Sequence, residues 1–332
     1  MSYDIRCARH VNKGHLRRLR SGNPVFPRFR RHSGMTAAEA GIGRDRPWTV
    51  LVNPAAGRRG RDSDAVMTAL AAEGVKATRY VPPTPEEGRK IARDLADTPA
   101  VVAVLGGDGT VHNIGTQLIG KNAWLAVLPG GTENLVCRST GTPDGTADAV
   151  RHLLAARPVR WDVGMLGNHE FIGMAGVGLD GEVCARTELA WKGAGGRVAY
   201  VIATLGMLVS RPATFSLDWE GGSAAGIQQV VFSNTPRYGG GLLMNPAAVP
   251  HDGKLGMAIF PWRGRLARLG QFLPLFPPLK TLDFLGPNRY SVIRAAIEGP
   301  GNLPAQADGE PMTVTNPVVT VKPAALWMLC SC

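Results

Sequence analysis

Val101-Val102-Ala103-Val104-Leu105-Gly106-Gly107-Asp108-Gly109-Thr110 is the stretch whose reading decides the first half of this 332-residue chain. Five apolar residues in a row, rich in valine, predict a short strand buried on both faces. The three glycines that follow surround one carboxylate, and helical spacing begins at Val111. A turn of this composition lets backbone approach a large anionic ligand, and the helix start beyond it offers free N–H groups and a partial positive charge. Asp108 cannot itself bind phosphate oxygens, so it needs a bridging Mg²⁺ or a donor such as a ribose hydroxyl. The plain alternative is a glycine-rich turn in which Asp108 merely caps the helix.

The same grammar extends on either side of this stretch. Trp48 to Val52 predicts a strand ending in Asn53-Pro54-Ala55-Ala56-Gly57, followed by a helix over Asp62 to Ala72. Lys76 to Val81 predicts a second strand and Pro85 to Ala96 a second helix, with proline at the first helical position where it is tolerated. Trp124 to Leu128 feeds a second glycine-rich turn, Pro129-Gly130-Gly131-Thr132-Glu133-Asn134. This alternation predicts a Rossmann-like parallel α/β domain over 47–145. Ligands of such sheets sit at the carboxyl ends of the strands. Asn53, Gly57, Gly106, Gly107, Asp108, Gly109, Thr110, Gly131, Thr132 and Asn134 all fall at that edge.

Past about residue 157 the pattern changes. A hairpin is predicted from 159–166 and 170–177 around Gly167-Asn168, and helical spacing returns at 180–189 and 198–208. Strand-like runs follow at 214–219, 228–233, 255–260, 290–297 and 318–321. The second domain, 146–332, is therefore expected to be an antiparallel β-sandwich with inserted helices, its last segment packing back on the first domain.

Charge is unevenly spread. Residues 1–46 hold eleven Lys/Arg against Asp4, Glu39 and Asp45, whereas the other 286 residues carry a surplus of three out of the total +11. A basic arm ahead of a near-neutral body suits an anionic surface. The arm has only Tyr3, Phe26 and Phe29 as aromatics and no nucleic-acid reading motif, so nucleic acid is not the expected partner. Five scattered cysteines suggest a reducing compartment rather than a disulfide framework. No signal peptide is visible, and the longest apolar run, Val198 to Val209, is short of the ~20 residues that span a bilayer. A cytoplasmic protein touching the inner membrane surface peripherally is the expectation. Oligomeric state stays open, a homodimer among the options.

Taken together, Asn53 to Gly57, Gly106 to Thr110 and Pro129 to Asn134 resemble the nucleotide loops of the diacylglycerol kinase catalytic-domain family, which includes sphingosine kinases and bacterial lipid kinases. The similarity continues in Phe171 to Val183, Tyr238 to Pro246, Asp252 to Leu255 and Gln306 to Pro311. The resemblance implies a lipid kinase using ATP and Mg²⁺, with a membrane lipid, diacylglycerol-like or sphingoid-like, as acceptor. It implies that Asn53, Asp108, Gly109 and Thr132 hold ATP and its metal. It further implies Asp308 as general base with Glu310 assisting, Asp180 near the acceptor's polar head, and Asp252 at a structural Mg²⁺. From the residues alone, Asp308-Gly309 is equally a common hairpin turn.

Two departures stand out. The chain has Gly130 where members commonly carry leucine, which is expected to loosen that turn, and Asn113 where they commonly carry glutamate. The alternatives to a lipid kinase are a kinase of a soluble acceptor, as in NAD kinases, and a non-catalytic nucleotide- or lipid-binding regulator. The apolar, proline-broken stretch 266–285 is expected either to form part of a lipid entrance or to cover the β core.

Overall fold

The computed structural model describes residues 44–54, 62–192, 212–238, 242–264, 267 and 286–331, without the side chains of 187–192 and Leu242. The expectations for the basic arm to residue 43, for Gly57, and for the segments 198–208 and 268–285 lie outside the described residues.

Four parallel strands form the first half: β1 (Trp48–Val52), β2 (Ala77–Tyr80), β3 (Val101–Gly106) and β4 (Trp124–Pro129), in the order β2-β1-β3-β4. Side chains alternate between the two faces of a strand. Trp48, Val50, Val101, Ala103 and Leu128 therefore pack on one side, against helices α1 (Ser63–Ala72) and α5 (Thr146–Ala155). Leu51, Val102, Val104, Leu125 and Val127 pack on the other, against α2 (Pro85–Leu95) and α3 (Asp108–Gly115). β1, β3 and β4 are buried on both faces, which is why they are almost wholly apolar, whereas the edge strand β2 is largely exposed and carries Thr78 and Arg79. The start of α2 follows its sequence: Pro85 is at the first position, and the Thr84 hydroxyl accepts from Glu87 N at 3.3 Å. A short helix, α4 (Leu135–Ser139), follows the second glycine-rich turn.

The second half is antiparallel. It comprises β5 (Arg157–Leu166), β6 (His169–Phe171), β7 (Met174–Gly178), β8 (Phe215–Trp219), β9 (Gly222–Ser233), the small pair β10 (Arg237–Tyr238) and β11 (Leu242–Leu243), and β12 (Leu255–Pro261). It closes with β13 (Asn288–Val292), β14 (Arg294–Glu298), β15 (Leu303–Ala307), β16 (Glu310–Val314) and β17 (Val318–Cys330). Helix α6 (Leu179–Lys192) leaves β7 and lies against β15 and β16. One large core, including Phe171, Phe215, Phe232, Met257 and Leu303, fills the space between these strands.

β17 ties the halves together. Its Val319 belongs to the second-half core, while Leu326, Met328 and Leu329 belong to the two cores of the parallel sheet, and Met328 pairs with Leu125 of β4. Along β5 its register shifts between Lys322 and Leu326, with Ala324 at φ 51°. The buried Asp162 of β5 holds this bulge: its carboxylate accepts from Ala324 N at 2.8 Å and from Gly253 N at 2.7 Å. Asp162→Ala is expected to cost about 1–3 kcal/mol through two lost backbone partners, read as a lower thermal midpoint. An unchanged midpoint would show that the bulge holds without the carboxylate.

Candidate active site

The carboxyl ends of β1, β3 and β4 carry three turns that touch one another. Asn53 N donates to Leu105 O at 3.0 Å, and Asn53 Nδ2 donates to Thr110 Oγ1 at 2.8 Å. Gly130 N donates to Gly106 O at 3.2 Å. A Cβ on Gly130 would lie 2.6 Å from Gly106 N, and one on Gly131 2.5 Å from Gly107 Cα. The two glycine-rich turns therefore meet backbone to backbone. Gly130 does not loosen its turn, as the sequence suggested; it permits the contact.

These turns line a cavity of about 730 Å³. Asn53, Gly107, Gly109, Thr110, Gly131 and Thr132 form its floor, Pro82 to Pro85 and Gly88 one wall, and Glu310 of β16 reaches it from the second half. The N-terminus of α3, an eight-residue helix, opens on that floor and favours negative charge there. Gly106, Asp108 and Asn134 do not line the cavity. They support it from behind: a Cβ on Gly106 would collide with Thr110, and buried Asn134 spans its own turn by accepting from Gly131 N and donating to Gly131 O. Asp108 Oδ1 accepts from Val136 N at 3.1 Å, at the start of α4. Burial pushes the Asp108 carboxyl up, hydrogen bonds from Leu135 and Val136 pull it down, and the charges of Asp308 and Glu133 push it up further; the net direction is up.

Asp308 sits in the tight turn between β15 and β16, at φ 48° and followed by Gly309 at φ 90°. It is both the hairpin residue and a candidate site residue. Its carboxylate, 4% exposed, receives four hydrogen bonds. Oδ1 accepts from Gly173 N at 2.8 Å and Met174 N at 2.9 Å; Oδ2 accepts from Ile172 N at 2.6 Å and binds His112 Nδ1 at 2.9 Å. Glu310, two residues on, faces α3: a Cβ on Gly109 would lie 3.6 Å from its Oε1. Burial pulls the His112 imidazole down, but the bond to Asp308 and the charges of Asp308, Glu310 and Glu170 outweigh it, so it is raised.

Asp180 lies at the start of α6 and is 3% exposed. Gln306 Nε2 donates to its Oδ2 at 2.7 Å and the Tyr238 hydroxyl donates to its Oδ1, while Gln306 Oε1 accepts from Gly309 N at 2.8 Å. Burial pushes this carboxyl up against those two bonds. Asp180 thus braces the Asp308 turn through Gln306. Asp252 stands apart on an exposed turn, accepting from Lys254 N at 3.0 Å.

Among the described residues no group of three or more His, Cys, Asp or Glu is placed to hold a metal ion. A Mg²⁺ bound through one protein carboxylate and the phosphates of a nucleotide needs no such group. Asp108 lies behind the cavity floor, its carboxylate accepting from the start of α4. It is the carboxylate next to the floor, and it could share a Mg²⁺ with phosphates only by turning an oxygen toward them; a lone Asp252 bonded to its own turn does not build a site by itself. Sequence reasoning assigned no site role to His112, Asp162, Tyr238 or Gln306, although Tyr238 and Gln306 lie in stretches that carry the family resemblance. For His112 a signal existed, since positions 108 and 112 are one helical turn apart on the same flank.

Comparison with known proteins adds to this geometry. The profile for the diacylglycerol kinase catalytic domain matches residues 47–166, and that for the YegS C-terminal NAD kinase beta sandwich-like domain matches 173–330. "Probable lipid kinase YegS" of Escherichia coli O9:H4 (strain HS) is 29% identical over 262 residues, spanning 75% of this chain and 81% of that protein. Its counterpart in Escherichia coli O157:H7 (strain EC4115 / EHEC) gives the same figures. A crystal structure described as a diacylglycerol kinase from Bacillus anthracis str. Sterne superposes with a TM-score of 0.63 at 18% identity, covering 86% of this chain and 97% of that one. At that identity the superposition speaks to the fold alone.

Proposed function

Because this chain belongs to the diacylglycerol kinase catalytic-domain family, and is thereby a phosphotransferase, we propose that it transfers the γ-phosphoryl of ATP to the hydroxyl of a diacylglycerol-like or sphingoid-like lipid. The observation that carries this reading is Glu310: a carboxylate of the second half enters a cavity whose floor is built from two glycine-rich turns and Asn53. In the proposal ATP lies over Asn53, Gly107, Gly109, Thr110, Gly131 and Thr132. Backbone N–H groups and the α3 terminus face the phosphates. Mg²⁺ held by Asp108 and the phosphates would supply charge neutralisation.

Phosphoryl transfer passes through a loose transition state, so alignment and electrostatics do most of the catalysis. Glu310 and Asp308 stand on the acceptor side. Asp180 keeps their turn in place from beneath rather than meeting the lipid head. Among the described residues no helix is long and apolar enough to cross a membrane. In the proposal the protein meets its lipid acceptor at the cytoplasmic membrane surface.

Labelled ATP offered with a panel of lipids in mixed micelles, and in parallel with NAD, tests the reading. Label is expected in a diacylglycerol or sphingoid base. Label in NAD alone would replace the lipid acceptor by a soluble one, and nucleotide binding with no transfer to any acceptor would make the chain a regulator.

A further inference from the structure

We propose that His112 is the group that takes the proton from the acceptor hydroxyl, with Asp308 as the residue that orients it. The inference rests on the phosphotransferase reading above and assigns its proton-transfer step. A carboxylate offers about four lone-pair positions, and those of Asp308 are filled by Ile172 N, Gly173 N, Met174 N and His112 Nδ1. A substrate hydroxyl could reach this carboxylate only by displacing one of them. The imidazole has the opposite standing. Its Nδ1 is engaged, and an N–H there, donating to Oδ2, leaves Nε2 as an acceptor. No hydrogen bond to Nε2 is found among the described residues, and the side chain is 19% exposed.

His112 is also correctly placed. On α3, Gly109, Thr110, Asn113 and Ile114 line the cavity. At about 100° per residue, position 112 falls on the flank beside Gly109, the side from which Glu310 reaches in. His112 does not itself line the cavity; it lies beside lining Gly109, toward the second half, with its side chain 19% exposed. In the proposal an acceptor entering from that half meets Nε2 there. The histidine–carboxylate pair follows general-base logic: the carboxylate sets the tautomer and steadies the imidazolium that forms. In the step, the hydroxyl oxygen bonds to the γ-phosphorus while the bond from that phosphorus to the β,γ-bridging oxygen breaks. ADP leaves with that electron pair, and the hydroxyl proton passes to Nε2 and later to water.

The charged groups facing His112 are Asp308 on the β15–β16 turn, Glu310 on β16 and Glu170 on β6. All three favour the imidazolium, so the base is neutral only above a raised pKa. Turnover is accordingly expected to fall as pH drops through a value above the ordinary ~6.5.

The test uses the full-length chain. His112→Gln is expected to lower kcat by about 10²–10⁴-fold, with the nucleotide KM within about threefold, and to remove the acid limb from the residual activity. His112→Ala is expected to regain part of its turnover on addition of imidazole, which a purely structural histidine would not allow. A His112→Gln enzyme within fivefold of the parent, or one keeping the same acid limb, overturns the assignment. Should no lipid or soluble acceptor become labelled, the acceptor reading fails separately, and ¹⁵N-histidine NMR of the parent chain still judges this one. A neutral His112 protonated on Nδ1 supports it; one protonated on Nε2 overturns it.

Discussion

Asp308→Asn is expected to reduce phosphoryl transfer by about 10²–10⁴-fold while leaving nucleotide affinity within a few-fold of the parent. The amide is isosteric, so the loss comes from hydrogen-bond sense. Placing Nδ2 at the Oδ1 position would set it against two donors, Gly173 N and Met174 N. Placing it at the Oδ2 position opposes only Ile172 N, and makes the amide donate to His112 Nδ1. The second orientation costs less, and it inverts the tautomer: His112 then carries its proton on Nε2 and cannot accept another. One opposed backbone donor should cost about 1–3 kcal/mol, a lower thermal midpoint by a few degrees. Because Asp308 and His112 act as one unit, the double variant Asp308→Asn/His112→Gln should be no slower than the worse single variant. Multiplied losses would show two independent roles.

The same pair makes a pH prediction for stability. His112 has its pKa raised in the fold, so its contribution is fully present below the unfolded value of ~6.5 and is lost as pH rises through the higher folded value. Asp308→Asn should flatten that part of the profile, measured as thermal midpoint against pH; a parent profile flat across this range would deny the charge coupling.

How much of this the sequence discloses follows from where each piece gets its stability. β1, β3 and β4 are legible because strands buried on both faces read as near-continuous apolar runs, Thr49 being the one hydroxyl among them. β15 and β16 are not: Leu303-Pro304-Ala305-Gln306-Ala307 and Glu310-Pro311-Met312-Thr313-Val314 carry two prolines and few β-branched residues. They are strands because they pair with each other and β15 pairs with β7. The run 290–297 reads as one strand, yet it turns over at exposed Ile293 into β13 and β14. Only 318–321 of β17 is predicted, since Pro323 interrupts the pattern; a bulge at Ala324 lets the strand run on to Cys330. At the site, the glycine turns show themselves locally. The Asp308–His112 bond joins residues 196 positions apart and leaves no local trace. Nor do short motifs show which polar side chains face the cavity: Asn134 and Asp108 belong to the right turns but hold the floor from below.

The nucleotide floor supplies the other large effect. Gly131→Val is expected to raise the nucleotide KM by about two orders of magnitude, equivalent to roughly 2.7 kcal/mol, with overall folding retained. Even a Cβ at this position falls 2.5 Å from Gly107 Cα and 3.1 Å from Asn134 Oδ1. Neither neighbour can yield cheaply. Gly107 is backbone at the start of α3, and Asn134 Oδ1 already accepts from Gly131 N at 2.8 Å. The turns must therefore part, and the floor residues Gly107 and Gly131 lose their present spacing. Gly107→Ala approaches the same gap from the other side, but its Cβ would lie 3.3 Å from Gly131 Cα, a squeeze of tenths of an ångström. It should raise KM several-fold at most. Isothermal titration with a non-hydrolysable ATP analogue checks the series without turnover: affinity falling in the order parent, Gly107→Ala, Gly131→Val confirms that spacing between the turns controls binding. Equal affinities across the three would mean that the phosphates do not rest on these turns at all.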